Sequence, residues 1–206
     1  MIDLYTHASP NAYKVSICLE ELQLKYRVIP VDLNAGQQRA PAFRSINPAG
    51  KIPVIVDVDA NQAIFESGAI LFYLAEKAGR LLPAGGRERW EVITWLFFHS
   101  ATVGPVLAQR ANFAVLAAEK IPSVIERFTG QSEELFGVLD SHLSGREFLC
   151  GDYSIADIAH FGWLHIAQIG GFSFSTLPNL SRWHDTVAAR PAVQRGLRVP
   201  TAPSGF

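Results

Sequence analysis

The chain has 206 residues, of which 49% are apolar and 18% charged, and its formal net charge at pH 7 is -1. This size and composition are typical of a globular protein with one large domain or two small ones. Lysine and arginine are scattered without a basic stripe, which argues against nucleic acid or an anionic membrane as the primary partner.

The sequence shows no targeting pattern. Its N-terminus lacks a cationic start and a long apolar stretch, and no run approaches about eighteen apolar residues, so we predict neither a signal peptide nor a membrane span. A cytoplasmic location is therefore expected. Cys18 and Cys150 lie far apart and outside any C-x-x-C pair. They are expected to be buried thiols rather than a disulfide or part of a metal site.

Strand and helix patterns alternate over residues 1–80. Ser9 and Pro10 suit the N-cap and first turn of a helix over about residues 11–24. Pro30 interrupts the ladder of the following strand, which predicts that this strand lies at a sheet edge. The complete order is β-α-β-α-β-β-α, and it predicts an α/β domain.

Helical patterns dominate the rest of the chain. Glycine and proline residues break the pattern and mark a linker over residues 81–86. An all-helical domain over residues 87–206 is predicted beyond it, with Gly104-Pro105 kinking the first helix. Ser154 and Asp157 form a capping box that we interpret as structural. The predicted helices cover about residues 87–116, 122–143, 154–169 and 179–189.

The stretch from Lys51 to Ile70 is predicted to form a hairpin that leads into a helix. If the Ile52-Pro53 bond is cis, the Ile52 N–H and C=O can turn outward and accept an extended peptide as an added strand. A trans bond is the alternative, which base rates for X-Pro bonds favour by about ten to one. The helix beginning at Ser67 offers amides and a positive dipole to a carboxylate, while Glu66 is placed to hold an ammonium. Together these features suit an α-amino acid head group; the alternative is that Glu66 and Ser67 merely begin a helix.

Four motifs carry a resemblance to a known family. They are Ser9-Pro10-Asn11, Lys51-Ile52-Pro53-Val54, Phe65-Glu66-Ser67-Gly68-Ala69-Ile70 and Ser154-Ile155-Ala156-Asp157, in this order. With them the whole chain resembles a cytosolic glutathione transferase, closest to the bacterial nu-class. The resemblance implies a thioredoxin-like N-terminal domain, an all-helical C-terminal domain that forms the second-substrate groove, and a homodimer. It also implies that the first domain binds glutathione as co-substrate, with its cysteinyl backbone at Ile52 and Pro53 and its γ-glutamyl end at Glu66 and Ser67.

The implied chemistry requires a thiolate, because a thiol with a pKa of about 8.5 is only a few per cent ionised at neutral pH. The resemblance places Ser9 and Asn11 where the family positions hydrogen-bond donors to the sulfur. A helix cap for Ser9 and a solvated first-turn position for Asn11 are the alternatives. The nu-class pattern has threonine where this chain has Ser9, and serine lacks the methyl group that fixes the rotamer. Tyr5 is a rival donor, because other classes use a tyrosine at the end of the first strand.

Three further polar residues are assigned by the resemblance. Lys51 is placed to pair with the glycyl carboxylate of glutathione, and Gln38 matches a position of polar contact. Arg127 matches a residue that reaches the tripeptide from the partner subunit. For each of them an exposed surface side chain is the alternative. No metal is expected.

The leading hypothesis is an enzyme that ionises bound glutathione and directs its sulfur at an electrophile, a disulfide or a peroxide. The nu-class resemblance favours disulfide reduction beside weak transferase activity. The expected partners are glutathione and a small electrophile or disulfide, with neither nucleic acid nor membrane. One alternative is a non-catalytic protein of the same fold that binds ligands or partners. Another, a glutaredoxin-like enzyme with its own nucleophilic cysteine, conflicts with Pro10 and Asn11 standing where a cysteine is expected.

Overall fold

The computed structural model describes residues 1–200 and divides the chain into two compact units. The first unit contains Met1–Leu82 together with residues 189–200, and the second contains Pro83–Ala188. The sequence predicts that everything after residue 86 belongs to the helical domain. The structure instead groups residues 189–200 with the first unit. Residues 201–206 of the expected helical domain lie outside the described part of the chain.

Strands and helices alternate in the first unit. Its elements up to residue 82 are β1 (Ile2–Thr6), α1 (Pro10–Leu22), β2 (Tyr26–Pro30), α2 (Pro41–Arg44), β3 (Val54–Asp57), β4 (Gln62–Phe65) and α3 (Ser67–Ala78). The strands form one sheet in the order β2-β1-β3-β4, with β1 parallel to β2 and antiparallel to β3. The predicted element order is confirmed. So is the edge position of β2, where Pro30 disturbs the ladder least.

The second unit is built from helices. They are α4 (Gly86–Phe98), α5 (Gly104–Ala111), α6 (Pro122–His142), α7 (Ile155–Ile169) and α8 (Pro178–Ala188). The predicted fold class, a thioredoxin-like α/β part followed by a helical part, is therefore confirmed.

Helices α4 and α5 belong to one helical run. π-Helical turns at His99–Val103 and Asn112–Leu116 join and extend them, so that the run covers Gly86–Leu116. A π-helical turn thus lies just before Gly104-Pro105. The sequence predicts a kink at this place, because proline has no N–H to donate to the helix. By length and composition alone this run could cross a membrane, but a core helix of a soluble protein meets the same criterion, so the expectation of no membrane span is not overturned. Its buried side packs on α6 and α7 within the second unit.

A short terminal helix, α9 (Pro191–Gly196), completes the first unit by packing on α1. The Ser16 hydroxyl donates to the Gly196 carbonyl at 2.7 Å. A Cβ at Gly196 would lie 2.6 Å from the α1 backbone, so only glycine allows this close approach. Arg190 adds two hydrogen bonds to Glu21, at 2.6 and 2.9 Å. The sequence does not predict this helix, because six residues are too few to show a periodic pattern.

Helix α7 begins with the predicted capping box. Ser154 Oγ accepts a hydrogen bond from the Ala156 N–H at 3.3 Å, and Asp157 Oδ2 accepts from the Ser154 N–H at 3.0 Å. Asp157 is fully buried, and its Oδ1 accepts from the Leu149 N–H and from Trp183 Nε1–H, both at 2.9 Å. One carboxylate therefore ties the start of α7 to the preceding loop and to α8. The structural interpretation of this box is confirmed.

Candidate functional site

The N-terminus of α1 holds the two predicted thiol donors. Ser9 is the N-cap of the helix, and its Oγ accepts from the Ala12 N–H at 3.2 Å. Because the cap uses the hydroxyl oxygen as an acceptor, it leaves the Ser9 O–H able to donate to a ligand. Asn11 lies half-buried in the first turn, where its Oδ1 accepts a hydrogen bond from Lys14 Nζ at 2.9 Å. A capping role for Ser9 is thus compatible with a donor role.

Lys14 connects this helix to the start of α3. It is only 3% exposed, and its Nζ lies 2.9 Å from Asn11 Oδ1 and 3.4 Å from Ser67 Oγ. Burial lowers the pKa of the Lys14 ammonium to about 7, although the Glu66 carboxylate favours its charged form. Asn11 and Ser67, which belong to separate sequence motifs, therefore meet at one amine.

The backbone at the start of α3 has an uncommon conformation. Glu66 precedes the helix with φ 68° and ψ 116°. A non-glycine residue in such a region costs about 1–3 kcal/mol, and such residues cluster at ligand-binding sites. The Glu66 side chain is exposed and makes no capping hydrogen bond to α3, while Ser67 is half-buried. A carboxylate and the first amides of a helix therefore lie side by side, an arrangement that suits an α-amino acid head group.

The segment Ile52-Pro53 lies next to this helix start. Val54 and Phe65 form the last pair of the antiparallel β3-β4 ladder, so Pro53 and Glu66 each adjoin a residue of that pair. The Ile52-Pro53 peptide bond is cis. The backbone N–H and C=O of Ile52 have no hydrogen-bond partner within residues 1–200. These two groups provide the donor and acceptor that an added strand requires.

The other predicted residues lie in different places. Gln38 is half-buried, and its Nε2 donates to the Leu33 carbonyl at 3.3 Å, whereas its Oε1 is buried without a hydrogen-bond partner in the described part of the chain. The Lys51 side chain is exposed, and its carbonyl accepts from Asn47 Nδ2 at 2.7 Å. Arg127 is exposed on α6. The first unit thus contains every predicted site residue except Arg127, which belongs to the second.

Tyr5, the rival thiol donor, has a packing role. Its ring meets Phe43 edge-on, with the ring centroids 6.2 Å apart. Both rings belong to a small apolar cluster with Val31 and Val54. Since this contact explains the tyrosine, Tyr5 remains behind Ser9 and Asn11 as a donor candidate.

Neither cysteine is suited to act as a nucleophile. Burial, reinforced by the Glu21 carboxylate, raises the pKa of the Cys18 thiol far above its ordinary value. Burial, together with the Asp157 carboxylate, raises the pKa of Cys150 to about 12. Both are free thiols and both stay protonated at neutral pH. These properties argue against the glutaredoxin-like alternative.

The second unit contains a separate cavity of about 410 Å³. Arg110 on its wall lies over the Phe172 ring, 4.7 Å from the centroid. None of the predicted glutathione residues, all within residues 1–200, lines this cavity. Within the same range no group of three or more His, Cys, Asp or Glu side chains is placed to hold a metal ion.

Sequence reasoning missed two residues of this region, Lys14 and Asn47. Lys14 has a detectable signal, because it stands inside the apolar pattern of α1 and three residues after Asn11, on the same helix face. Asn47 precedes a proline, and this pair of residues predicts a turn. The hydrogen bond from the Asn47 side chain to the Lys51 carbonyl, however, cannot be predicted from the neighbouring sequence.

The sheet order, the helices between its strands and the helical unit that follows define a thioredoxin-like domain joined to a helical domain, which is the architecture of glutathione transferases. The family model for the glutathione S-transferase N-terminal domain matches residues 1–76, and that for the C-terminal domain matches residues 97–191. The chain belongs to the glutathione S-transferase family, as its motifs predict.

Known relatives are similar over almost the whole chain. The disulfide-bond oxidoreductase YfcG of Escherichia coli (strain K12) is 41% identical over 203 residues, which cover 96% of this chain and 94% of the relative. A glutathione transferase homologue from Lodderomyces elongisporus, crystallised with two GSH per subunit, is 36% identical, with a TM-score of 0.92 over 97% of this chain and 98% of that one. A glutathione transferase from Pseudomonas putida, crystallised with one glutathione disulfide per subunit, is 37% identical, with a TM-score of 0.89 over 97% of this chain and 91% of that one.

Proposed function

We propose that the chain is a glutathione-dependent enzyme that ionises the thiol of bound glutathione and uses it mainly to reduce disulfides. Attack on other electrophiles or on peroxides is a secondary use. The observation that carries the proposal is that the side chains of Asn11 and Ser67 both accept a hydrogen bond from Lys14 Nζ. It brings a predicted thiol donor and a predicted carboxylate donor to one site in the first unit.

Glutathione lies along the open strand end in this proposal. Ile52 pairs with the cysteinyl backbone beside Pro53, and its N–H and C=O, which lack partners within residues 1–200, support that role. The ammonium of the γ-glutamyl group pairs with Glu66, and its carboxylate binds at Ser67 and the first amides of α3. Two side chains are then assigned to the rest of the tripeptide, Gln38 for polar contact and Lys51 for the glycyl carboxylate.

The sulfur lies over the start of α1. Hydrogen bonds from the Ser9 hydroxyl and the Asn11 amide, together with the positive end of the helix, stabilise the thiolate relative to the thiol. Lowering the thiol pKa by about two units requires roughly 2.7 kcal/mol of such preferential interaction. Two charge-assisted hydrogen bonds of about 1.5 kcal/mol each are sufficient.

The disulfide chemistry needs no protein cysteine. The glutathione thiolate attacks one sulfur of the substrate disulfide, forming a mixed disulfide while the other sulfur leaves as a thiolate and takes up a proton. A second glutathione thiolate attacks the glutathione sulfur of that mixed disulfide, which yields glutathione disulfide and a second substrate thiol. The relatives that hold two GSH or one glutathione disulfide per subunit support a site that accepts both glutathiones.

The first prediction is that glutathione becomes ionised when it binds. Titration of the complex is expected to show thiolate absorbance with a pKa about two units below that of free glutathione. S-methylglutathione, which cannot ionise at sulfur, is the control and is expected to bind without this signal. The same preparation is expected to form glutathione disulfide from glutathione and a small disulfide in a coupled assay. Binding without thiolate below about pH 8 would instead support the non-catalytic alternative.

A homodimer is also part of the proposal. Trp90 and Phe97 lie seven residues apart on one face of α4 and are 68% and 65% exposed. Two such aromatic side chains on one helix face suit an interface core. In the dimer, the exposed Arg127 reaches the glutathione of the partner subunit.

The second prediction concerns this interface. Trp90→Glu is expected to convert a dimer into a monomer in analytical ultracentrifugation, because the new carboxylate would have to be buried against an apolar surface. Ile169→Glu is the matched control, since Ile169 is 71% exposed on a different helix, and it is expected to stay dimeric. A monomeric wild type, or a dimeric Trp90→Glu variant, contradicts the proposed dimer.

The domain roles and location complete the proposal. The first unit binds glutathione, and the helices of the second form the groove for the second substrate. We place the protein in the cytoplasm, where glutathione keeps thiols reduced, and the two free cysteines agree with that location.

A further inference from the structure

Lys14 is a buried cation in the middle of the proposed glutathione site. Only 3% of the residue is exposed, and it lies on the side of α1 that faces the rest of the first unit. Burying an ammonium costs several kcal/mol unless its donors are used. The Lys14 Nζ donates to Asn11 Oδ1 at 2.9 Å and to Ser67 Oγ at 3.4 Å, and the Glu66 carboxylate favours its charge. These groups offset only part of the cost of burial, because the pKa of the ammonium is still lowered to about 7.

A protonated lysine is a hydrogen-bond donor with no acceptor atom. An asparagine amide has an acceptor end and a donor end, and the ammonium can interact favourably only with the acceptor end. Contact with Lys14 thus turns Oδ1 of Asn11 inward and the Nδ2 hydrogens away from the lysine. By the same rule Ser67 Oγ accepts from Lys14, which directs the Ser67 hydroxyl hydrogen elsewhere.

We propose that Lys14 is a positioning residue that orients Asn11 and Ser67 together, so that both present hydrogen-bond donors to glutathione, one at the sulfur and one at the γ-glutamyl carboxylate. This inference rests on the proposed site. Lys14 does not touch the reacting atoms; it acts through the two side chains that do. One buried cation thereby couples thiol activation at α1 to head-group binding at α3.

The third prediction tests both ends of the site in the full-length protein. Lys14→Met keeps the length of the side chain and removes the donor. It is expected to raise the thiol pKa of bound glutathione by about one unit, because the Asn11 amide loses its fixed orientation. It is also expected to weaken binding of S-methylglutathione about tenfold through Ser67, as measured by calorimetry. A purely structural lysine would change the melting temperature and leave both quantities as in the wild type.

Two further variants keep the test decisive if Lys14→Met does not fold. Lys14→Arg retains a donor-only cation and is expected to keep the thiol pKa of the wild type. Lys14→Gln has both a donor and an acceptor and is expected to raise that pKa. Equal thiol pKa values in the Arg and Gln variants, or wild-type values for both ends in Lys14→Met, overturn the inference. If the wild type itself shows no thiolate with glutathione, the proposed function fails instead, and the two failures are thereby distinguished.

Discussion

Asn11→Ala is expected to lower kcat/KM for a small disulfide by about a hundredfold, the usual loss when one donor to a developing or stabilised anion is removed. The Asn11 amide lies at the first turn of α1, held by Lys14 at 2.9 Å, so that its donor end is fixed before the ligand binds. Removing it leaves the helix dipole and Ser9 to stabilise the thiolate. The thiol pKa of bound glutathione is expected to rise in parallel, measured by thiolate absorbance.

Ser9→Ala and Asn34→Ala complete this fourth prediction. Ser9→Ala removes both a proposed thiol donor and the cap of α1, so a loss of about 1 kcal/mol in unfolding free energy is expected in addition to slower turnover. Asn34→Ala removes an exposed asparagine elsewhere in the first unit and is expected to behave as the wild type. A chlorinated aromatic should be assayed beside the disulfide. Full activity of Asn11→Ala and Ser9→Ala on both substrates would show that thiol activation lies elsewhere, with Tyr5 as the next candidate.

Asp157→Ala is expected to lower the unfolding free energy by about 3–5 kcal/mol, because it leaves several buried hydrogen-bond donors without an acceptor, each at a cost of about 1–3 kcal/mol. Three N–H groups lose their acceptor, on Leu149, Ser154 and Trp183, each now bonded at 2.9 to 3.0 Å. This fifth prediction can be measured by urea denaturation followed by tryptophan fluorescence.

Asp152→Ala is the control for that measurement, since Asp152 is an exposed carboxylate five residues earlier in the same region. It is expected to change the unfolding free energy by less than about 0.5 kcal/mol. If Asp157→Ala unfolds with the wild-type midpoint, the carboxylate does not hold the start of α7 in the way its contacts indicate.

The proposed head-group site at Glu66 and Ser67 shows which features local sequence patterns can predict and which they cannot. The pairing of Glu66 with Ser67 at a helix start is visible in the sequence, because helix termini have compositional signals and their charge preference follows from the dipole. The backbone of Glu66 is not visible there, since glutamate has no preference for a φ of 68° and adopts it only when the surroundings impose it. The sequence likewise left the isomer of the Ile52-Pro53 bond open. Base rates favoured the trans isomer, whereas the bond is cis in the structure.

The sequence by itself determined the order of strands and helices, the caps at Ser9 and Ser154, and the motifs that identify the family. Each of these depends on residues within a few positions of one another, through side-chain periodicity or a hydrogen bond to the next turn. Two contacts were decided only by the tertiary structure. Lys14 bridges Asn11 to Ser67, although Lys14 and Ser67 are 53 residues apart in the chain, and α9 packs on α1. Such contacts arise from the way that separate helices pack against each other, and no local pattern encodes which buried side chains will meet.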